Sequence, residues 1–294
     1  MPYAEDDPEG QARVMALKQR LEKLGWTIDR NIRIDCRWGI DDIGKTRAAA
    51  AELLALAPDV IMAGTSRAVA TLQHATHAVP IVFTAIYEPV AQGFVQSLAH
   101  PGGNITGFTM VEASLGAKWL ELLKKIAPSI STVAFIFNPN NPGPAQTAHS
   151  AETAAPNFGV QMVMAPVQGL AEIEAAMATL GRKPGGGLIV PSDGFLMAYR
   201  KSIIQLAAQY RVPTIYGIRA FSAEGGLISY GVEVSEQYHQ AAGYVDRILR
   251  GEKAGDLPVQ EPTNYQLVIN LKTAKALGLN VPQPMLLLAD EVIE

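Results

Sequence analysis

The sequence predicts an α/β fold of two Rossmann-like lobes, each built on a parallel sheet. Three observations predict it. Short continuous apolar runs alternate with helix-period stretches along the whole chain, the pattern left by parallel strands covered on both faces. Most of these runs end in small, polar or aromatic residues: Gly64-Thr65-Ser66, Tyr87-Glu88-Pro89, Asn138-Pro139-Asn140, Pro191-Ser192-Asp193 and Gly217. In open α/β sheets, ligands bind beyond those carboxyl ends. The alternation also comes as two successive series, split near residues 108–113. We therefore expect a first lobe of residues 1–112 plus 225–264 and a second of 113–224 plus 265–294. The late strands at 227–231 and 265–270 read as passages between them.

In chain order, a loop at Met1-Pro2-Tyr3 enters a helix over residues 9–24. Val14, Leu17, Leu21 and Leu24 lie on one of its faces and Gly25 ends it. Residues 32–38 alternate apolar and polar like a strand. Asp41 or Asp42 caps the next helix, which stops before Pro58. Val60, Ile61 and Met62 form a buried strand. Gly64 turns the chain and Thr65 or Ser66 caps a helix over 67–77. A strand from Pro80 follows, then a short helix or turn at 93–99, a turn at 101–104 and a strand at 105–108. The second series begins with a helix at 114–126 and a strand at Val133. It continues with a helix at 145–158, a strand at 160–165, a helix at 170–180 and the Leu188 strand. A helix at 195–210 and the Thr214 strand complete it. Then come the 227–231 strand, a helix at 235–249, a turn-rich link at 255–262, the 265–270 strand and a helix at 272–277. Such βα order implies right-handed crossovers.

Composition narrows the function. Apolar residues make up 48% and charged residues 18%, as in well-packed α/β proteins. The net charge is −4 and no Lys/Arg cluster stands out, which argues against a nucleic-acid partner. The single cysteine, Cys36, rules out an internal disulfide or a cysteine-based metal centre and reads as a packed small side chain. No apolar stretch is long enough to span a membrane.

No catalytic constellation emerges, and we expect no enzyme, cofactor or metal. His74 and His77 share a helix face without a carboxylate partner. Gly64-Thr65-Ser66-Arg67-Ala68 lacks the closing glycine of a nucleophile elbow. Gly185-Gly186-Gly187 precedes a strand rather than opening a helix, so it is no dinucleotide fingerprint. The candidates are binding residues. A helix start at Thr65 and Ser66 favours an anionic ligand group. Asp193 either meets a ligand cation or caps the helix after Gly194. Asn138 either bonds a ligand or holds the turn before Pro139. Tyr3, Tyr87 and Tyr216 sit at loop or strand ends, where rings stack on planar ligands; Tyr230 leaves the choice open.

The runs Pro101-Gly102-Gly103-Asn104-Ile105-Thr106-Gly107, Pro58-Asp59-Val60-Ile61, Lys118-Trp119-Leu120-Glu121-Leu122-Leu123-Lys124, Gly225-Gly226-Leu227-Ile228-Ser229-Tyr230-Gly231 and 270–279 carry a further signal. Together they resemble a family of substrate-binding proteins of ABC transporters, similar to type I periplasmic binding proteins. Its better-understood members look like aromatic amino-acid binders. The resemblance implies an extracytoplasmic receptor, a monomer in the periplasm, that binds an amino acid or aromatic compound in an inter-lobe cleft. It implies a small-molecule ligand and an ABC permease as partners. By analogy, the ligand carboxylate meets Thr65 and Ser66 and its ammonium meets Asp193. Its side chain lies toward Tyr3, Tyr87 and Tyr216, and the adjoining Ala4, Glu88, Asn138 and Ser192 complete the set. Two departures stand out: relatives carry a signal peptide and a first strand ahead of the residues matching Met1-Pro2-Tyr3, and many have Ser-Asp-Pro where this chain has Tyr87-Glu88-Pro89. The rival readings are the ligand-sensing part of a regulator, which requires a helix-turn-helix that is not visible, and an enzyme on a doubly wound fold.

Overall fold

A computed structural model describes residues 3–40, 42–110, 114–141, 143–182 and 184–294. Met1, Pro2, Asp41 and the 111–113 segment, where sequence reading put the entry loop, one candidate cap and the split between series, lie outside them. The elements in order are α1 (Pro8–Lys23), α2 (Ile43–Ala55), β1 (Ile61–Ala63), α3 (Ser66–Ala75), β2 (Ile81–Ile86) and β3 (Ile105–Thr109). Next are α4 (Leu115–Ile126), β4 (Thr132–Phe137), α5 (Ala145–Ala154), β5 (Gln161–Pro166), α6 (Leu170–Gly181), β6 (Gly186–Val190), α7 (Gly194–Ala198), α8 (Arg200–Gln209) and β7 (Thr214–Tyr216). The chain closes with α9 (Arg219–Ala223), β8 (Ile228–Gly231), α10 (Val234–Leu249), β9 (Gln266–Asn270), α11 (Leu271–Leu277), α12 (Gln283–Leu288) and β10 (Glu291–Ile293).

Two compact units result: Met1–Met110 with Val234–Pro262, and Val111–Glu233 with Thr263–Glu294. The first holds a parallel sheet of order β1-β2-β3. Its core gathers Ile61, Val69, Leu72, Ile81, Phe83 and Ile105. Gly107 in β3 has φ +154°, and a Cβ there would stand 2.1 Å from the Phe83 carbonyl oxygen, so only glycine fits between the two strands. In α10, Gln237 is buried and ties the sheet together. Its Oε1 accepts from the Ala85 N–H at 2.9 Å and its Nε2 donates to the Thr109 carbonyl at 2.7 Å.

The second unit holds seven strands in the order β10-β9-β8-β7-β6-β4-β5. The strands β4, β6 and β7 are buried almost throughout, as their unbroken apolar runs demand, while the edge strand β5 is half exposed. Trp119 of α4 is fully buried and its indole N–H donates to the Tyr230 carbonyl at 2.6 Å.

Besides α9, α12 and β10, which the sequence reading did not give, the structure departs from it in four places. Residues 225–233, expected in the first lobe, belong to the second unit, because β8 bonds β7 on one side and β9 on the other. The β8–β9 pair is antiparallel within an otherwise parallel sheet, since a strand re-entering the sheet from another unit needs no crossover helix. The strand expected at 32–38 makes no ladder; its polar side chains pair locally, Arg33 with Asp35 and Arg37 with Glu52. Finally, the helix expected at 195–210 is broken at Tyr199 into α7 and α8.

Candidate functional site

In the first unit, the carboxyl ends of β1 and β2 carry two loops that the structure joins. Thr65 is the N-cap of α3, its hydroxyl accepting from the Ala68 N–H at 3.2 Å. Ser66 opens the helix, where the first N–H groups have no intrahelical partner and the dipole favours negative charge. Gln92, which sequence reading missed, ties this loop to the next: its amide donates to Ser66 Oγ at 3.2 Å and to the Tyr87 carbonyl at 2.6 Å. Tyr87 is buried and Glu88 half-buried. Ala85 and Glu88 hold φ of 58° and 40°, left-handed values that cost non-glycine residues energy and persist only where the surroundings fix them. Beside Ala85, Thr84 is fully buried and its hydroxyl has no partner among the described residues. Gly64 is bare because a Cβ there would sit 2.7 Å from the Tyr238 hydroxyl.

Tyr3 lies elsewhere in this unit from where a rim residue would be. Its ring is buried under the guanidinium of Arg13, 4.7 Å from the ring centre, and burial pushes its hydroxyl pKa up. Ala4 beside it is exposed. Arg13 is itself buried, its Nε has no hydrogen-bond partner, and no carboxylate pairs with it among the described residues. Sequence reading missed it because a lone arginine on an amphipathic helix looks solvent-facing.

In the second unit, the loops after β4 and β6 meet. Asp193 is buried; one carboxylate oxygen caps α7 through the Leu196 N–H at 3.0 Å and the other accepts from the Asn141 side-chain amide. Thus both roles open to Asp193 remain compatible: it caps the helix, and it is a buried carboxylate that no basic residue pairs among the described residues. Asn138 holds its own turn, its side-chain oxygen accepting from the Asn140 N–H at 3.0 Å, while Asn141 is the residue that reaches Asp193. Ser192 is buried and donates to the Gly217 carbonyl at 2.8 Å, joining the ends of β6 and β7. Tyr216 stands at the end of β7. Its ring is stacked on Phe221 with centroids 4.6 Å apart, 1% of the residue is exposed, and burial raises its hydroxyl pKa. One face is covered by Phe221 and its edge stands against Gly226.

No group of three or more His, Cys, Asp or Glu among the described residues is placed to hold a metal ion. No helix among them is long and apolar enough to cross a membrane. Taken by itself, the first unit offers a helix start and a buried guanidinium, and the second, by itself, a buried carboxylate.

Residues 6–293 match the family model described as ABC transporter substrate binding protein, and the chain belongs to that family. A tyrosine-binding protein of Clostridioides difficile is 27% identical over 259 residues, covering 88% of this chain and 74% of the relative. A crystal structure of a conserved domain protein from Vibrio cholerae superposes with a TM-score of 0.90 at 26% identity, over 99% of this chain and 97% of the other. An ABC domain of Streptococcus pneumoniae in complex with L-Trp superposes equally well, TM-score 0.90 over 99% and 97%, at 22% identity, and so shares the fold.

Proposed function

We propose that this member of the ABC transporter substrate-binding family captures a free amino acid, with an aromatic side chain preferred, outside the cytoplasmic membrane. It then presents the amino acid to its membrane permease. The carrying observation is Asp193. A carboxylate nine-tenths buried with no basic partner among the described residues is unfavourable unless something positive completes it, and a ligand ammonium does so. The opposite end of an amino acid is a carboxylate, which the start of α3 at Thr65 and Ser66 suits. Tyr87, bracketed by the strained Ala85 and Glu88, supplies the aromatic wall. The tyrosine-binding relative supports the ligand class. Tyr216, on this reading, shapes the second unit from within and makes no ligand contact.

Calorimetric titration tests it. L-Tyrosine and L-tryptophan are expected to bind. Tyramine, which lacks the carboxylate, and the deaminated acid, which lacks the ammonium, are expected to bind at least tenfold more weakly. A protein that binds a neutral sugar and none of these amino acids would end the proposal.

A further inference from the structure

In the second unit, the chain past β6 carries more than Asp193. The short helix α7 buries Leu196 and Met197 completely, and Asp193 caps its start. Phe195 and Tyr199, one helical turn apart, stay half-buried. Their rings meet with centroids 5.0 Å apart and planes tilted by 60°, an arrangement that fixes both rings and leaves ring surface uncovered. The backbone here is also unusual. Residues 195–210 contain neither proline nor glycine, yet the helix breaks at Tyr199. The Tyr199 N–H reaches back only three residues, to the Leu196 carbonyl at 3.1 Å, a tightened turn that inside a helical stretch marks a functional hinge or strain. The break sets apart a single helical turn that holds a buried carboxylate at its start and two partly open rings beyond it.

We infer that Phe195 is a specificity-determining residue: its ring, held in place by Tyr199, receives the aromatic side chain of an amino acid whose ammonium meets Asp193. This rests on the amino-acid reading of Asp193 and adds the element of the second unit that selects the side chain. Phe195 follows Asp193 by two residues, so their Cα atoms stand at most about 7 Å apart. In an aromatic amino acid, two carbons separate the ammonium from the ring, so one molecule reaches both groups. An aromatic ring meeting Phe195 gains the ring–ring attraction beyond area burial, and an aliphatic side chain gains area burial alone. The Phe195 side chain has no polar atom, so it favours aromatic over aliphatic ligands without telling L-phenylalanine from L-tyrosine. Tyr199 is a positioning residue, acting through the Phe195 ring it packs against.

The test is calorimetric titration of wild type, Phe195→Leu, Tyr199→Leu and Tyr199→Phe with L-phenylalanine and L-leucine. Leucine at 195 keeps apolar bulk and removes the ring; Phe195→Met takes its place should that variant fail to fold in a thermal melt. Phe195→Leu is expected to cut the preference for L-phenylalanine over L-leucine about fivefold, the worth of one aromatic pair, through a loss on L-phenylalanine alone. Tyr199→Leu is expected to lose part of the same preference and Tyr199→Phe, which restores the ring, to keep it. An unchanged preference in Phe195→Leu, or equal losses for both ligands, overturns the inference and leaves the amino-acid reading standing. A wild-type protein that binds no aromatic amino acid overturns both.

Discussion

Asp193→Asn separates the two duties of this side chain. Asparagine keeps the shape and retains an oxygen to cap α7, for which it ranks with aspartate. Its amide nitrogen then faces the Asn141 side-chain amide, donor against donor. Asn141 relieves this only by turning over, which gives up its own bond from the Gly143 N–H, now 3.0 Å. One neutral hydrogen bond is thereby lost, about 1 kcal/mol. Removal of a buried charge without a basic partner offsets part of that. Folding stability should therefore change by less than about 1 kcal/mol, a melting shift of a few degrees at most. Binding should change more. A hydrogen bond from a ligand ammonium to a charged group is worth about 1.5–3 kcal/mol, which is about 10–150-fold in Kd. Titration of wild-type and variant with L-tyrosine reads the loss, and titration with the deaminated acid, which has no ammonium, should show almost none. Wild-type affinity for the amino acid in the variant, or equal losses for both ligands, would refute the reasoning.

Ser66→Ala should weaken amino-acid binding by less than about 1 kcal/mol, because the backbone N–H groups at the start of α3 remain; calorimetry decides. Gly64→Ala forces a methyl group against the Tyr238 hydroxyl, now 2.7 Å from the Cβ position, and should destabilise the protein by about 1–3 kcal/mol in urea titrations. Tyr238→Phe in the same chain should recover more than half of that loss. The Glu121 carboxyl is held below its usual pKa by the Lys125 ammonium first and Lys118 second. A lowered folded-state pKa means its stabilisation is present above the ordinary carboxylate pKa and lost as pH falls through the lowered one. The advantage of wild type over Glu121→Gln, about 0.3–0.5 kcal/mol for such a helical pair, should therefore shrink in thermal melts between neutral and strongly acid pH.

By itself the sequence determined the α/β class, the order of nearly every helix and strand, and the loops at Thr65, Tyr87 and Asp193. Those follow from local physics: unbroken apolar runs for buried strands, three- and four-residue spacings for helix faces, and capping side chains at helix starts. Pairing partners are a different matter, because hydrogen bonds between strands join residues far apart in sequence. Only the tertiary structure put β8 in the second unit and reversed it against β9, and only it left 32–38 without a ladder. It alone decided which polar side chains are buried and what they meet. Tyr216 reads as a rim aromatic until Phe221 is found stacked on it, and Asn138 reads like Asn141 until one is seen holding a turn and the other Asp193. Arg13 and Gln92 gave no local signal, since a buried cation or a half-buried amide differs from an exposed one only through neighbours brought by the fold.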